Sequence, residues 1–101
     1  MALDKTLVEV FRVSKKERKS LSNQVIKLAE EHGELAAALL MSMGLKGTTM
    51  SKEEVRENVL EEACDVVLMA LSIMKKAKFT EKEIDEMLIL KLKKWERRLG
   101  K

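Results

Sequence analysis

Two groups of carboxylates stand where a packed helix would normally carry apolar residues. The stretch KLAEEHGELAAALL, Lys27 to Leu40, sets Glu30, Glu31 and Glu34 among Ala and Leu, and EEACDVVLMAL, Glu61 to Leu71, sets Glu61, Glu62 and Asp65 in a second apolar run. Residues three and four apart share one face of a helix. Gln24, Lys27, Glu31 and Glu34 therefore form one polar stripe, and Asn58, Glu62 and Asp65 form another. If the two helices pack antiparallel, as a short connection favours, these acids face one another across the core. Unpaired buried charge is costly, so something positive must compensate. A hard divalent cation fits, because Mg²⁺ takes oxygen ligands and binds phosphate, and Mn²⁺ is the expected substitute.

The alternative is that the acids lie on solvated faces and pair with lysines one turn away. No Lys or Arg lies between Glu57 and Met74 to provide such partners. Periodicity does not choose between Glu31 and Glu30, or between Glu62 and Glu61, because Glu30 with Glu34 and Glu61 with Asp65 also share a face. A carboxylate-bridged di-iron site is excluded, since it needs Glu-x-x-His on two helices and the single histidine, His32, follows Ala29 at that spacing.

Four helices are needed to position these residues. Leu3, Leu7, Val10 and Phe11 recur at helical spacing and predict a short first helix over about 3–13. The basic segment SKKERKSLS holds the start of the second, with Ser14 and Glu17 as a candidate capping box. Gly44 and GLKGTT end that helix near Met43. Ser51 with Glu54 opens a third that runs to about Ala77, and Thr80 with Glu83 opens a fourth that ends near Gly100. Ile84, Met87, Leu88, Leu92, Trp95 and Leu99 form its apolar stripe, which makes Trp95 a core anchor. The Met-rich MSMGLKGTTM is expected to wall a pocket or fill a core.

The chain of 101 residues has no proline and only four glycines, and Ala, Leu, Met, Glu and Lys dominate, so it reads as one all-α domain over 1–101. Runs such as Leu39 to Met41 and Val66 to Leu71 are apolar over more of the helix than one partner can cover, which predicts a homo-oligomer. The lone Cys64 cannot form an internal disulfide. No signal-peptide pattern opens the sequence and no apolar run is long enough to span a bilayer, so a cytoplasmic protein without membrane partners is expected. From Glu30 to Asp65 nine acidic residues face only Lys46, Lys52 and Arg56, a balance of −6 that leaves +9 on the flanks. That acidic centre would repel a polyanion and argues against nucleic acid as a partner.

Glu31-x-x-Glu34, followed after 27 residues by Glu62-x-x-Asp65, in the contexts KLAEEHGEL and EEACDVV, resembles the MazG-like all-α nucleotide pyrophosphohydrolases over roughly residues 20–99. The resemblance implies a four-helix MazG-like bundle assembled as a homo-oligomer, dimer or tetramer. It implies an enzyme that hydrolyses a nucleoside triphosphate, ribo- or deoxyribo-, to the monophosphate and pyrophosphate. It implies that Glu31, Glu34, Glu62 and Asp65 are the catalytic Mg²⁺ ligands, with Glu30 and Glu61 outside the set. Members of the family place basic and amide residues on the last helix near the triphosphate. In KLKKWERRL this points to Lys91, Lys94 and Arg98, although the asparagine often found there is missing. Gln24, Lys27 and Asn58, on the acidic stripes, complete the candidate substrate contacts.

Two other functions stay in view. Phosphoribosyl-ATP pyrophosphohydrolases share the acid motifs and the helical architecture, and the long loop from Gly44 to Met50 fits them less well. A non-catalytic helical module could instead bind nucleic acid through SKKERK and KLKKWERR, with no need for a metal.

Overall fold

Local capping chemistry sets three of the helix starts. The computed structural model describes residues 2–100, and among them are four α-helices and no strand: α1 Ala2–Ser14, α2 Leu21–Ser42, α3 Lys52–Lys76 and α4 Glu81–Arg98. Two of the three expected capping boxes close. Ser51 Oγ accepts from the Glu54 amide at 3.1 Å while the Ser51 amide donates to Glu54 Oε1 at 2.9 Å, and Thr80 and Glu83 repeat the pattern. The third expected box does not form. Ser14 Oγ donates to the Phe11 carbonyl and Glu17 Oε1 accepts from the Lys19 amide, so α2 starts only at Leu21, where Ser20 Oγ accepts from the Asn23 amide. Ser14 is held by the helix it ends, and a hydroxyl committed backwards cannot cap forwards.

Helices α2 and α3 both stop in a Schellman motif. After α2, Gly44 sits at φ 74°, its amide bonded to the Met41 carbonyl and the Leu45 amide to that of Leu40. After α3 the same pair of bonds runs from Lys78 to Lys75 and from Phe79 to Met74, with Lys78 at φ 72° where glycine would be strain-free. The loop between them turns α3 back antiparallel along α2, as the pairing of Gln24 with Ser72 and of Glu31 with Asp65 requires.

α1 packs on α3, with Leu7, Val10 and Phe11 half-buried and the Lys75 ammonium 5.5 Å from the centre of the Phe11 ring. α4 is different. Ile84 is buried, but every residue from Asp85 to Gly100 is exposed. Trp95, 54 % exposed, is therefore not a core anchor within one chain, because the stripe that carries it meets no partner helix there. No helix among the described residues is long and apolar enough to cross a membrane.

Candidate metal centre

The centre of the α2–α3 hairpin is where the two acidic stripes meet. One carboxylate oxygen from each of Glu31, Glu62 and Asp65 lies within 4.8 Å of the others, a spacing at which a single cation could touch all three. Glu31 is only 5 % exposed, Glu62 is half-buried and Asp65 is exposed, so the group grades from core to solvent across the hairpin. Glu34 lies one turn on from Glu31, at the exposed rim, within hydrogen-bond reach of both Glu31 and Glu62. Of the pairs that periodicity left open, Glu31 is buried where Glu30 is exposed, and Glu62 is half-buried where Glu61 is exposed.

Two oxygens give the group its chemical character. Among the described residues, Glu31 Oε2 and Glu62 Oε2 are buried with no hydrogen-bond partner. Buried polar atoms in folded proteins are nearly always satisfied, and hard oxygen donors left open in a cluster are what an octahedral divalent cation requires. The donor set fits Mg²⁺ or Mn²⁺, with no soft ligand among the three.

Electrostatics separate the carboxylates. The Glu31 carboxyl is held below its usual value, first by the hydrogen bond from Lys27, against burial, and then by the Lys27 charge and by Glu34 and Asp65. Lys27 Nζ lies 3.0 Å from Glu31 Oε1 and 3.8 Å from Glu30. Among the described residues no cation acts on Glu62 in this way. Burial first, then the hydrogen bond and charge of Glu34 and the charges of Glu31 and Asp65, push it up to about 7. Neighbouring carboxylates with separated affinities for a proton are a recurring feature of acid–base sites.

The remaining candidates fall into two groups. Asn58 is half-buried one turn before Glu62, and Lys27 is in the site as a cation already bonded to Glu31. Gln24 shares their stripe but is fully buried and engaged elsewhere: its Nε2 donates to the Lys19 carbonyl at 3.0 Å and its Oε1 accepts from Ser72 Oγ at 2.7 Å. It clasps α2 to α3. Lys91, Lys94 and Arg98 lie on the exposed α4, and no ion pair joins them to the acids among the described residues. Sequence reasoning missed Ser72, whose only signal is its place on the extension of the Asn58–Asp65 stripe.

Beside the cluster, on the loop side, a groove of about 1190 Å³ opens between the end of α2 and the first half of α3. Met41, Gly44, Thr48 and Met50 of the Met-rich segment form one wall, as expected for a pocket wall. No protein-family model, curated protein or solved structure matches this chain.

Proposed function

We propose that this chain is a Mg²⁺-dependent nucleoside triphosphate pyrophosphohydrolase of the MazG-like kind, working as a homo-oligomer on a cytoplasmic nucleotide pool. The observation that carries the reading is the pair of buried, unpartnered oxygens, Glu31 Oε2 and Glu62 Oε2, in one cluster with Asp65. Glu31, Glu62 and Asp65 would hold the cation, with Glu34 beside them at the rim. When bound, the cation polarises the α-phosphoryl group and lowers the pKa of an attacking water.

The side chains supply the rest. Glu34, at the rim and outside the three carboxylates that would hold the cation, would take the proton from that water as its oxygen bonds to the α-phosphorus. The bond from the α-phosphorus to the bridging oxygen of the β-phosphate breaks, and pyrophosphate leaves with the electron pair. Lys27, part-exposed beside Glu31, would meet a phosphate oxygen. Asn58, half-buried one turn before Glu62, would donate a hydrogen bond beside it.

The test is turnover of ribo- and deoxyribonucleoside triphosphates with and without Mg²⁺, scoring pyrophosphate separately from orthophosphate. Mg²⁺-dependent pyrophosphate release that Glu34→Gln and Asp65→Asn abolish, in variants with unchanged helicity, is the expected result. Either variant retaining wild-type turnover overturns the assignment of the site. Absence of release from every nucleotide leaves phosphoribosyl-ATP as the next substrate to try.

A further inference from the structure

The end of the α2–α3 hairpin away from the Gly44–Met50 loop gathers cations from two stretches that lie far apart in the sequence. SKKERK, between α1 and α2, supplies Lys15, Lys16, Arg18 and Lys19, and the end of α3 supplies Lys75, Lys76 and Lys78. Specific contacts hold the stretches together. Gln24 Nε2 donates to the Lys19 carbonyl while its Oε1 accepts from Ser72, and the Lys75 ammonium lies 5.5 Å from the centre of the Phe11 ring. The Glu17 carboxyl is held below its usual value first by the Lys19 amide and, more weakly, by the charge of Lys76. All of these cations except Lys75 are exposed, and among the described residues no ion pair joins any of them to a carboxylate. The acids nearest along the chain are Glu17, bonded to the Lys19 amide, and Glu81 and Glu83, which have Lys82 between them, so this end stays positive. From Lys76 back to Asp65 α3 rises roughly 16 Å, about twice the screening length of ~8 Å at physiological salt. The acidic centre therefore does not shield the basic end.

Between α1 and α3 a cavity of about 490 Å³ adjoins these cations, a size that holds a small ligand. Val10, Val13, Leu68 and Met69 give it apolar walls, and Lys16 lines it too, so the cavity and the cationic group are continuous. Two lining carboxylates, Glu9 and Glu17, already accept from Arg12 and from the Lys19 amide. Val13 and Leu68 are exposed, as are Leu21 and Phe79 next to the cations. The partner must use both features. A nucleic acid would meet the cations but has nothing to place in the apolar cavity, and of the two phenylalanines that could stack on its bases, Phe11 is taken by Lys75. The same end of a second copy would bring like charge, and lysine is depleted at the cores of protein interfaces. An anionic amphiphile satisfies both the charge and the cavity.

We infer that this end of the hairpin docks on a bilayer surface that carries anionic lipids, with the lysines against headgroup phosphates and the α1–α3 cavity around part of one acyl chain. Such a contact needs no spanning helix, because the attraction of a basic cluster to anionic headgroups accumulates cation by cation. Lysine suits it, as a compact charge on a flexible stem that need not match one fixed acceptor geometry. The contact is independent of what the acidic cluster binds, and it goes beyond the function proposed above by giving the chain a place at a membrane surface.

The test is co-sedimentation of the full chain with vesicles of phosphatidylcholine alone and of phosphatidylcholine mixed with phosphatidylglycerol, at physiological salt. Wild-type chain is expected to pellet with the mixed vesicles and not with the neutral ones, and to be released as salt is raised. Lys15→Ala and Lys76→Ala, both at exposed positions, should each weaken binding by about fivefold. Val13→Ser, in the cavity wall, should weaken it by up to about tenfold without changing its salt dependence. Circular dichroism checks that each variant keeps its helicity. Equal pelleting with neutral and anionic vesicles, or none with either, overturns the proposal. Equal weakening by Lys91→Ala would move the contact to α4 and overturn it as well. Binding of a DNA oligonucleotide of arbitrary sequence that is tighter than vesicle binding and indifferent to Val13→Ser would assign the cations to nucleic acid instead. Val13→Ser that dissociates an oligomer in sedimentation and leaves vesicle binding unchanged would give the cavity to a second copy and refute the acyl-chain contact. None of these readouts depends on catalysis, so an inactive protein would not affect the result.

Discussion

Replacing Gln24 separates a structural role from a substrate-binding one. Gln24 is fully buried and makes hydrogen bonds of 2.7 Å with Ser72 and 3.0 Å with Lys19. Gln24→Leu keeps the approximate volume but removes both bonds. A net hydrogen bond contributes about 1 kcal/mol, and an orphaned buried group costs about 1–3 kcal/mol. The Lys19 carbonyl, on an exposed residue, can turn to water, whereas the half-buried Ser72 hydroxyl has less access. The expected loss is therefore about 2–3 kcal/mol, or about 10–20 °C in Tm for a domain of this size. Ser72→Ala alone strands Gln24 Oε1 in the core and should cost about 1–3 kcal/mol.

The double variant removes both partners, so it should be more stable than the two single losses add up to, by a coupling of about 1–2 kcal/mol. Urea unfolding of the four proteins measures this cycle. Activity of the double variant, measured below its melting range, should stay near that of the wild type, since neither residue then needs to meet substrate. Additive losses would refute the clasp. A folded double variant that loses turnover would return Gln24 to the substrate.

The remaining predictions concern charge and backbone. Glu62 has a folded pKa raised to about 7, so the metal-free protein should be most stable, as far as this group is concerned, below its ordinary value of 4.5 and lose that stability as pH rises through about 7. Glu62→Gln should flatten this decline in thermal melts taken across that window, and an unchanged decline would mean the carboxylates are not coupled. Glu31 works in the opposite sense: its lowered pKa contributes stability that is present above 4.5 and lost on acidification, and Lys27→Met should remove it. Lys78 sits at φ 72°, so Lys78→Gly should raise unfolding stability by about 1 kcal/mol in urea titrations. A loss there would show that the Lys78 side chain matters more than its backbone.

What the sequence made legible was local chemistry. The Ser51–Glu54 and Thr80–Glu83 boxes depend on residues three apart, and both formed. The stripes of Glu31 with Glu34 and of Glu62 with Asp65 follow from helical spacing, and the hairpin brought them together. What the sequence did not show depended on distant or competing partners. Ser14 had a closer acceptor in Phe11, so its capping box did not form. Gln24 lies on the acidic stripe by spacing, but its partner is Ser72, 48 residues away, and no periodicity announces that bond. The choice of Glu31 over Glu30 required burial. The α4 stripe shows which face Trp95 is on and leaves open what covers it, because amphipathicity is the same whether the partner is its own chain or another.

The central claim is that Glu31, Glu62 and Asp65 hold a divalent cation, and Mn²⁺ binding followed by electron paramagnetic resonance tests it most directly. The signal of free Mn²⁺ should fall as protein is added, recover on addition of excess Mg²⁺, and stay unchanged with Asp65→Asn. A free-ion signal that wild-type protein does not diminish at neutral pH would contradict the claim and leave the buried oxygens of Glu31 and Glu62 in need of another partner.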